Sequence, residues 1–340
     1  MSARESIIPV FVPHLGCPND CVFCNQRRIS GSTVSATAGT VREAVRNAAS
    51  LDTTGRKRQL AFYGGSFTAI PRAEQESLLA AAKEYLDSGE LDSVRLSTRP
   101  DAIDGEVIGR LLRYGVETVE LGAQSMDDGV LRLSGRGHTA ADVKNASRQI
   151  KAAGLKLILQ MMTGLPGDTD EKDIETAKKL IALRPDGVRI YPTVIVRDTA
   201  LYDLWRCGRY PEHTVEDAVR VCAKLLPLFE EAGVPVIRLG LNPTEELSGG
   251  AAAGGAYHPA LGELVRARIM LERAREAMRG VAPGSSVIIH VAPSKLSQTI
   301  GQHRSNIDAL LAESGAASIK VRPDENGDTL RLEVCEADDI

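Results

Sequence analysis

The sequence predicts an α/β fold: a parallel sheet clothed in helices over residues 7–245, then a small α+β module over residues 281–340. Three observations carry this expectation. Val- and Ile-rich runs of strand length alternate with longer amphipathic stretches, the rhythm of parallel strands joined by helical crossovers. Motifs rich in glycine and polar residues recur at the C-terminal ends of those runs, where such sheets place their chemistry. A Gly-rich break, SGGAAAGGA at residues 248–256, then separates the last run from a long helix and the short module.

The first run, IIPVFVPH, reads as a strand, because Pro9, Pro13 and His14 interrupt it and no small-residue cleavage site follows. RQLAFYGG, SVRLSTRP, TVELGAQS, KLILQMMTGLP, GVRIYPTVIV and GVPVIRLGLNP continue the strand series. Between them, AEQESLLAAAKEYL, AADVKNASRQIKAAG, DEKDIETAKKLIAL and TVEDAVRVCAKLLPLFEEAG have helical periodicity, and Gly89, Gly154 and Gly233 are their C-cap candidates. Six or seven such units suit a barrel, complete or partial, as well as a doubly wound sheet. Residues 248–256 are too Gly-rich for an interior helix or strand and read as a loop, either a linker or a cover over a site. A helix is expected from His258 to Arg279. Strand SSVIIHV, helix SKLSQTIG, a turn at QHR, helix NIDALLAES, strand SIKVRP, a DENGD turn and strand TLRLEV complete the chain. The expected divisions are 1–247, 248–280 (Gly-rich loop and connecting helix) and 281–340.

Composition excludes several classes. The 340 residues are 43% hydrophobic and 25% charged, enough for a sizeable core and against disorder. No run of eighteen apolar residues occurs, so no spanning helix and no membrane partner are expected, and the chain reads as cytoplasmic. The net charge of −4 excludes a general polyanion binder. Residues 1–60 do carry eight Lys and Arg against four Asp and Glu. Of these, Arg27 and Arg28 are placed to meet a phosphate, whereas Arg56, Lys57 and Arg58 read as a solvated rim.

Six cysteines in a chain this long do not make a disulfide scaffold. Three of them, Cys17, Cys21 and Cys24, stand together as C-P-N-D-C-V-F-C directly after the first strand, and clustering of this kind points to a metal. Three thiolates at this spacing suit three corners of a 4Fe-4S cluster, leaving one iron open to a small molecule. Zinc is the rival, with His14 as the fourth ligand. Cys207 and Cys222 have no C-x-x-C partner, so no second cluster is expected. Met161 and Met162 read as core.

The set CPNDCVFC, FYGGSFTAIP, STRPD, VELGAQS, GRGHT, MMTGLPGDT and RIYPTVIVRDTALYDLW, in this order, resembles the radical S-adenosylmethionine (SAM) superfamily, and within it the Elongator-like branch of tRNA wobble-uridine modifiers. The likeness covers roughly residues 7–245. It implies a partial parallel (β/α) barrel of radical SAM type. It implies a 4Fe-4S cluster on Cys17, Cys21 and Cys24, with Phe23 near the adenine of S-adenosylmethionine. Gly64, Gly65 and Ser66 match the stretch that meets the methionine amino group; Ser66 replaces an acidic residue common there, which leaves the work to backbone carbonyls. Glu120 and Gln124 match strand positions that face SAM, Gln124 toward the ribose. Arg136 is the candidate for the methionine carboxylate, with Arg99 as competitor. Gly164 to Gly167 would form an adenine-side turn. His138 would orient its loop, Tyr191 would fill the barrel or face substrate, and His258 would be structural.

The chemistry so implied is reductive cleavage of SAM to a deoxyadenosyl radical that abstracts a substrate hydrogen. An electron donor such as flavodoxin or ferredoxin is the implied protein partner, and RNA (tRNA) the implied substrate. Two alternatives stand beside it: a small-molecule or peptide oxidoreductase of the coproporphyrinogen dehydrogenase kind, and a non-catalytic iron–sulfur RNA-binding protein. The chain ends at Ile340, and no segment after 245 offers an acetyl-CoA phosphate-binding turn before a helix, so no acetyl-CoA dependence is expected. In the module, Ile300-Gly301-Gln302-His303-Arg304-Ser305-Asn306-Ile307 resembles the I-G-x-x-G-x-x-I joint of KH domains, with Arg304 in place of the second glycine. A KH-like α+β module that presents RNA to the barrel is the expectation. Its five Lys and Arg against nine Asp and Glu argue instead for a stabilising cap.

Overall fold

The computed structural model describes residues 5–12, 17, 21–25, 36–49, 55–245, 247–325, 327 and 330–335. His14, Arg27, Arg28 and two residues of the DENGD turn, Asn326 and Asp328, lie outside the described residues. The chain divides into two compact units, one of residues 1–214 and 228–257, the other of residues 215–227 and 258–340.

The first unit is built on a seven-stranded sheet. Its strands are β1 (Glu5–Phe11), β2 (Lys57–Tyr63), β3 (Ser93–Thr98), β4 (Val116–Gln124), β5 (Lys156–Thr163), β6 (Gly187–Pro192) and β8 (Val236–Leu239). They lie in that spatial order, and every neighbouring pair is parallel. A doubly wound sheet reverses its strand order at a switch point. This order never reverses, and β1 and β8 are the two free edges, so the sheet is a partial (β/α) barrel. The helices in the crossovers are α1 (Ala38–Ala49), α2 (Arg72–Asp87), α3 (Gly105–Arg113), α4 (Asp128–Leu133), α5 (Ala140–Ala152), α6 (Asp170–Ala182), α7 (Ala200–Arg206) and α8 (Val215–Glu231). The last of these passes from the second unit into the first.

The central strands are near-continuous apolar runs because both faces are covered. Leu60, Leu96, Leu121, Leu157 and Leu159 are fully buried, each stabilising the fold by roughly 1.5–3 kcal/mol. Helix starts are set by side chains that satisfy orphan N–H groups. Asp104 and Asp127 accept from Val107 and Val130, and Thr139 forms a capping box with Asp142. Thr169 and Thr199 do the same for α6 and α7. These caps fix where each strand-end loop stops.

The Gly-rich segment departs from its expected loop. β7 (Val194–Val196) and β9 (Ala252–Gly255) form an antiparallel two-stranded ribbon. The run GVRIYPTVIV therefore splits at Thr193, its first half in the barrel sheet and its second half in this ribbon. Glycine is required rather than disruptive here. Gly255 has φ +79°, and a Cβ on it would come within 2.8 Å of Thr193 O and 2.9 Å of Ile195 N. The Gly255 N–H donates to Glu212 Oε1 at 2.8 Å.

The second unit holds α9 (Leu261–Ala277), β10 (Ser286–Val291), α10 (Leu296–Ile300), α11 (Ser305–Ser314), β11 (Ser318–Pro323) and β12 (Arg331–Cys335). β10 lies between β11, parallel to it, and β12, antiparallel. Met270, Ala274, Val287, Ile289, Ile307 and Leu310 are the heart of its core. The order strand–helix–turn–helix–strand–strand is the one read from the sequence. His258 Nδ1 accepts from the Ala260 N–H at 3.1 Å, a structural role at the approach to α9. Among the described residues, no helix is long and apolar enough to cross a membrane.

Candidate cofactor site at the strand ends

The cysteine segment follows β1 and is pinned from two sides. The Val22 N–H donates to Ser134 O at 3.1 Å, at the end of α4. The Leu201 N–H, in α7, donates to Val22 O at 2.7 Å, and Cys24 closes a turn onto Cys21 at 3.0 Å. Phe23 packs against Val130, Met162 and Leu165, and also against Ile195, Leu201 and Tyr210. Cys17 is exposed, and Cys21 and Cys24 are half-buried. Among the described residues, no three His, Cys, Asp or Glu side chains converge on one centre as the segment stands.

Arg136 ties this segment to the sheet. Its Nη1 lies 3.3 Å from Cys21 Sγ and its Nη2 donates to Gly122 O at 2.8 Å, where β4 bulges between Gly122 and Gln124. Arg99 holds the backbone of the same loop: its Nη2 donates to Arg136 O at 2.8 Å, while its Nε and Nη2 grip Asp101, each at 2.9 Å. Of the two competing arginines, Arg99 thus has its fork taken by a carboxylate, and Arg136 is the one turned to the cysteines. His138 lies beside Ala123, its Nε2 3.1 Å from the carbonyl oxygen. Burial and the Arg136 cation push its pKa down to about 4, so it is neutral at physiological pH and positions the loop. Desolvation and the neighbouring Cys21 thiol push the Cys17 thiol up, against the pull of Arg136 and Arg99 and a backbone hydrogen bond with Ser66.

At the end of β4, Gln124 holds a left-handed φ of +63° and is 4% exposed, and its buried Oε1 has no hydrogen-bond partner. A strained, buried residue with an unmet acceptor is the signature of a group waiting for a ligand. A Cβ on the adjacent Gly122 would sit 2.9 Å from the Gln124 amide and 3.2 Å from Arg136 Nη2. The Ser66 hydroxyl lies 3.0 Å from Thr98 Oγ1 and accepts from the Arg99 N–H at 3.2 Å, so it locks the loop with Gly64 and Gly65 to β3. At the end of β5, Gly164 has φ +70°, and a Cβ there would overlap the His213 ring. The Tyr210 hydroxyl donates to Gly164 O at 2.6 Å.

The profile of the Radical SAM superfamily matches residues 11–180, half of the chain, and that of the Radical SAM C-terminal domain matches residues 185–271. The chain belongs to the radical SAM superfamily. Within it the chain is Elongator-like. It is 32% identical to human Elongator complex protein 3 over 185 residues, which are 48% of this chain and 34% of that protein. It is 35% identical over 129 residues to the tRNA uridine(34) acetyltransferase of Methanocaldococcus infernus, 37% of this chain and 24% of that one. These matches span only about a third or less of their relatives' length. The fold of the archaeal Methanocaldococcus infernus Elp3, with its N-terminus deleted, superposes with a TM-score of 0.63 at 22% identity over 81% of this chain and 64% of that one. Coproporphyrinogen III oxidase from Escherichia coli, a radical SAM enzyme, superposes with a TM-score of 0.50 at 18% identity over 68% and 53%.

Inside this radical SAM barrel, Glu120 is held by arginines of two other strands. Its carboxylate accepts from Arg95 Nη1 at 2.9 Å and from Arg189 Nη2 at 3.0 Å, and Arg95 also reaches Glu5 at 3.0 Å. Arg189 in turn donates to the hydroxyls of Tyr63 and Tyr191. Sequence reasoning missed Arg95, Arg189 and Tyr63 as a set. The available signal was a charged residue in the middle of each of two otherwise apolar strands, SVRLST and GVRIYP. It also missed a carboxyl pair behind the Gly164 turn. Burial and the charge of Asp168 raise the pKa of Asp173 well above the carboxylate range, and burial raises that of Asp168.

Proposed function

We propose that the protein binds a 4Fe-4S cluster through Cys17, Cys21 and Cys24, cleaves SAM reductively, and acts on a uridine of tRNA. The observation that carries the cofactor assignment is Arg136, which bridges the cysteine segment and the β4 end beside the orphaned amide oxygen of Gln124. Three thiols on one anchored segment, a guanidinium and an unmet acceptor suit a thiolate-held cluster with a polar ligand next to it. When bound, the cluster supplies the electron that breaks the sulfonium carbon–sulfur bond, and so the radical that takes a hydrogen atom from substrate.

The chain's own residues then divide the work of holding and shielding. Arg136 pairs the methionine carboxylate, and the Gly64-Gly65-Ser66 turn, held by Thr98, presents its backbone to the amino group. Gln124 Oε1 accepts from a ribose hydroxyl. Phe23 and the Gly164 turn flank the adenine, and the apolar side chains around Phe23 exclude water. Glu120 acts from below, fixing Arg95 and Arg189.

The tRNA assignment rests on the Elongator relatives. It draws support from the second unit, which we read as KH-like. At its Gly301–Arg304 joint, His303 and Arg304 take left-handed φ of +50° and +66°. A groove of about 600 Å³ is lined by Ile300, Arg304, Ile307, Ile319, Lys320 and Arg322 among others. Among the described residues no carboxylate lines it, and its charged lining is Arg304, Lys320 and Arg322. Arg304→Glu should weaken tRNA binding and lower its salt dependence; unchanged affinity at two salt concentrations would remove RNA from this groove.

The decisive experiment is anaerobic reconstitution, reduction, and turnover with SAM and total tRNA, followed by nucleoside mass spectrometry. Wild type should take up about four irons per chain and release 5′-deoxyadenosine. Cys21→Ala should lose both, and Cys207→Ala neither. Tightly held zinc without iron uptake would sink the cluster reading. Deoxyadenosine without a new nucleoside would move the substrate to a small molecule or peptide.

A further inference from the structure

Tyr63 closes β2 and Tyr191 lies one residue from the end of β6, and both are half-buried. A single guanidinium holds them together. Arg189 Nη2 donates to the Tyr63 hydroxyl at 3.2 Å, and Nη1 to the Tyr191 hydroxyl at 3.3 Å. The guanidinium carbon also lies 5.7 Å from the centre of the Tyr63 ring. Arginine has donors only, so each phenol oxygen must be the acceptor. Each hydroxyl proton is therefore turned away from Arg189, and among the described residues no atom accepts either one. Glu120, held 3.0 Å from Nη2, fixes the guanidinium in place. Burial and the Glu120 charge raise the Tyr63 pKa, which keeps that phenol a donor.

We propose that Tyr63 and Tyr191 are a two-hydroxyl donor clamp for carbonyl oxygens of the substrate, and that Arg189 is the positioning residue that sets it. A phenol that accepts from a cation is polarised and becomes a stronger donor. Two such donors, neither with a hydrogen-bond acceptor among the described residues, suit a ring edge of carbonyls. An edge that bears an amino group in place of one carbonyl is bound less well, since it sets a donor against a hydroxyl whose oxygen already accepts from Arg189. Tyr191 packs in the same apolar group as Phe23, Met162 and Leu165, so the clamp faces the mouth that holds the cysteine segment. Phe11, its ring centre 6.5 Å from that of Tyr63, adds an apolar wall. Resting on the tRNA reading above, the class of ligand is the uracil ring, and cytosine, with an exocyclic amine in place of one carbonyl, is the base disfavoured.

The test is equilibrium binding by fluorescence anisotropy of two labelled anticodon-type hairpin RNAs that differ only by uridine or cytidine at the target position. Wild type should prefer uridine by about tenfold. Tyr63→Phe and Tyr191→Phe should each reduce that ratio, and the double variant should bring it near unity. Arg189→Lys, which keeps the charge but loses the fork, should reduce it as well. Melting temperatures of the single variants show that the readout comes from folded protein. A preference that survives in both single variants, or equal wild-type affinity for the two hairpins, overturns the clamp alone. A wild type that binds neither hairpin overturns the tRNA reading and the uracil clamp with it.

Discussion

Arg136 donates to Gly122 O and touches Cys21 Sγ, so two elements of the site share one side chain. Arg136→Lys keeps the charge but not the fork. In reconstituted protein of unchanged iron content, it should weaken SAM binding at least about tenfold, roughly one charge-assisted hydrogen bond. Equal SAM affinity by equilibrium dialysis would assign the carboxylate elsewhere. Asp173 gives a second test at this scale. Its pKa and that of Asp168 are raised by burial, and that of Asp173 also by the Asp168 charge. The folded chain therefore binds more protons than the unfolded one, and the pair's contribution is fully present below the ordinary carboxylate range and lost as pH rises from there to the raised folded values. Asp173→Asn, which needs no proton, should flatten this fall in urea midpoints between about pH 4 and 7. At neutral pH it should be neutral or stabilising by on the order of 1 kcal/mol. An unchanged slope would mean that the pair does not hold the proton.

Among elements, the β7–β9 ribbon depends on one close approach. Gly255→Ala forces a Cβ against Thr193 O and Ile195 N at a left-handed φ, and should cost about 1–3 kcal/mol. Gly249→Ala, where a Cβ meets nothing within 4 Å, is the control and should leave the melting temperature within a degree or two. Equal effects would show that the ribbon is not what the glycines serve. The cysteine segment is an element of another kind. Backbone bonds at Val22, Cys24 and Leu201, the packing of Phe23, the Arg136 contact with Cys21 Sγ and the Asn25 amide on Asp198 O hold it. Strand runs and helix caps were legible because each is set by residues within a turn of one another, as at Thr139 and Asp142. The ribbon was not, since nothing near residues 252–255 announces a partner near residue 195.

At the scale of the molecule, cluster binding and folding of the first unit should be linked. A ligand that binds only the folded chain stabilises it by mass action. Anaerobic reconstitution should raise the wild-type melting temperature by several degrees, on the order of 1–2 kcal/mol at ~2–4 °C each. Cys21→Ala should show no such rise. A wild-type midpoint indifferent to iron would separate metal uptake from the stability of this unit.

By itself the sequence determined the period of the strands, the position of the cysteines after the first of them, and the likeness that put ligand motifs at five strand ends. All are local in the chain, a matter of alternation, capping and spacing. The likeness also implied an open barrel, and the tertiary structure bears this out in a strand order that never reverses. Only the tertiary structure set the surroundings of Arg99 and Arg136, since a guanidinium's partners depend on which carboxylate or sulfur the fold brings within reach. Glu120, Arg95, Arg189 and two tyrosines come from four different strands. Their charges and hydroxyls find one another only because the curled sheet turns alternate side chains of each strand into the same interior.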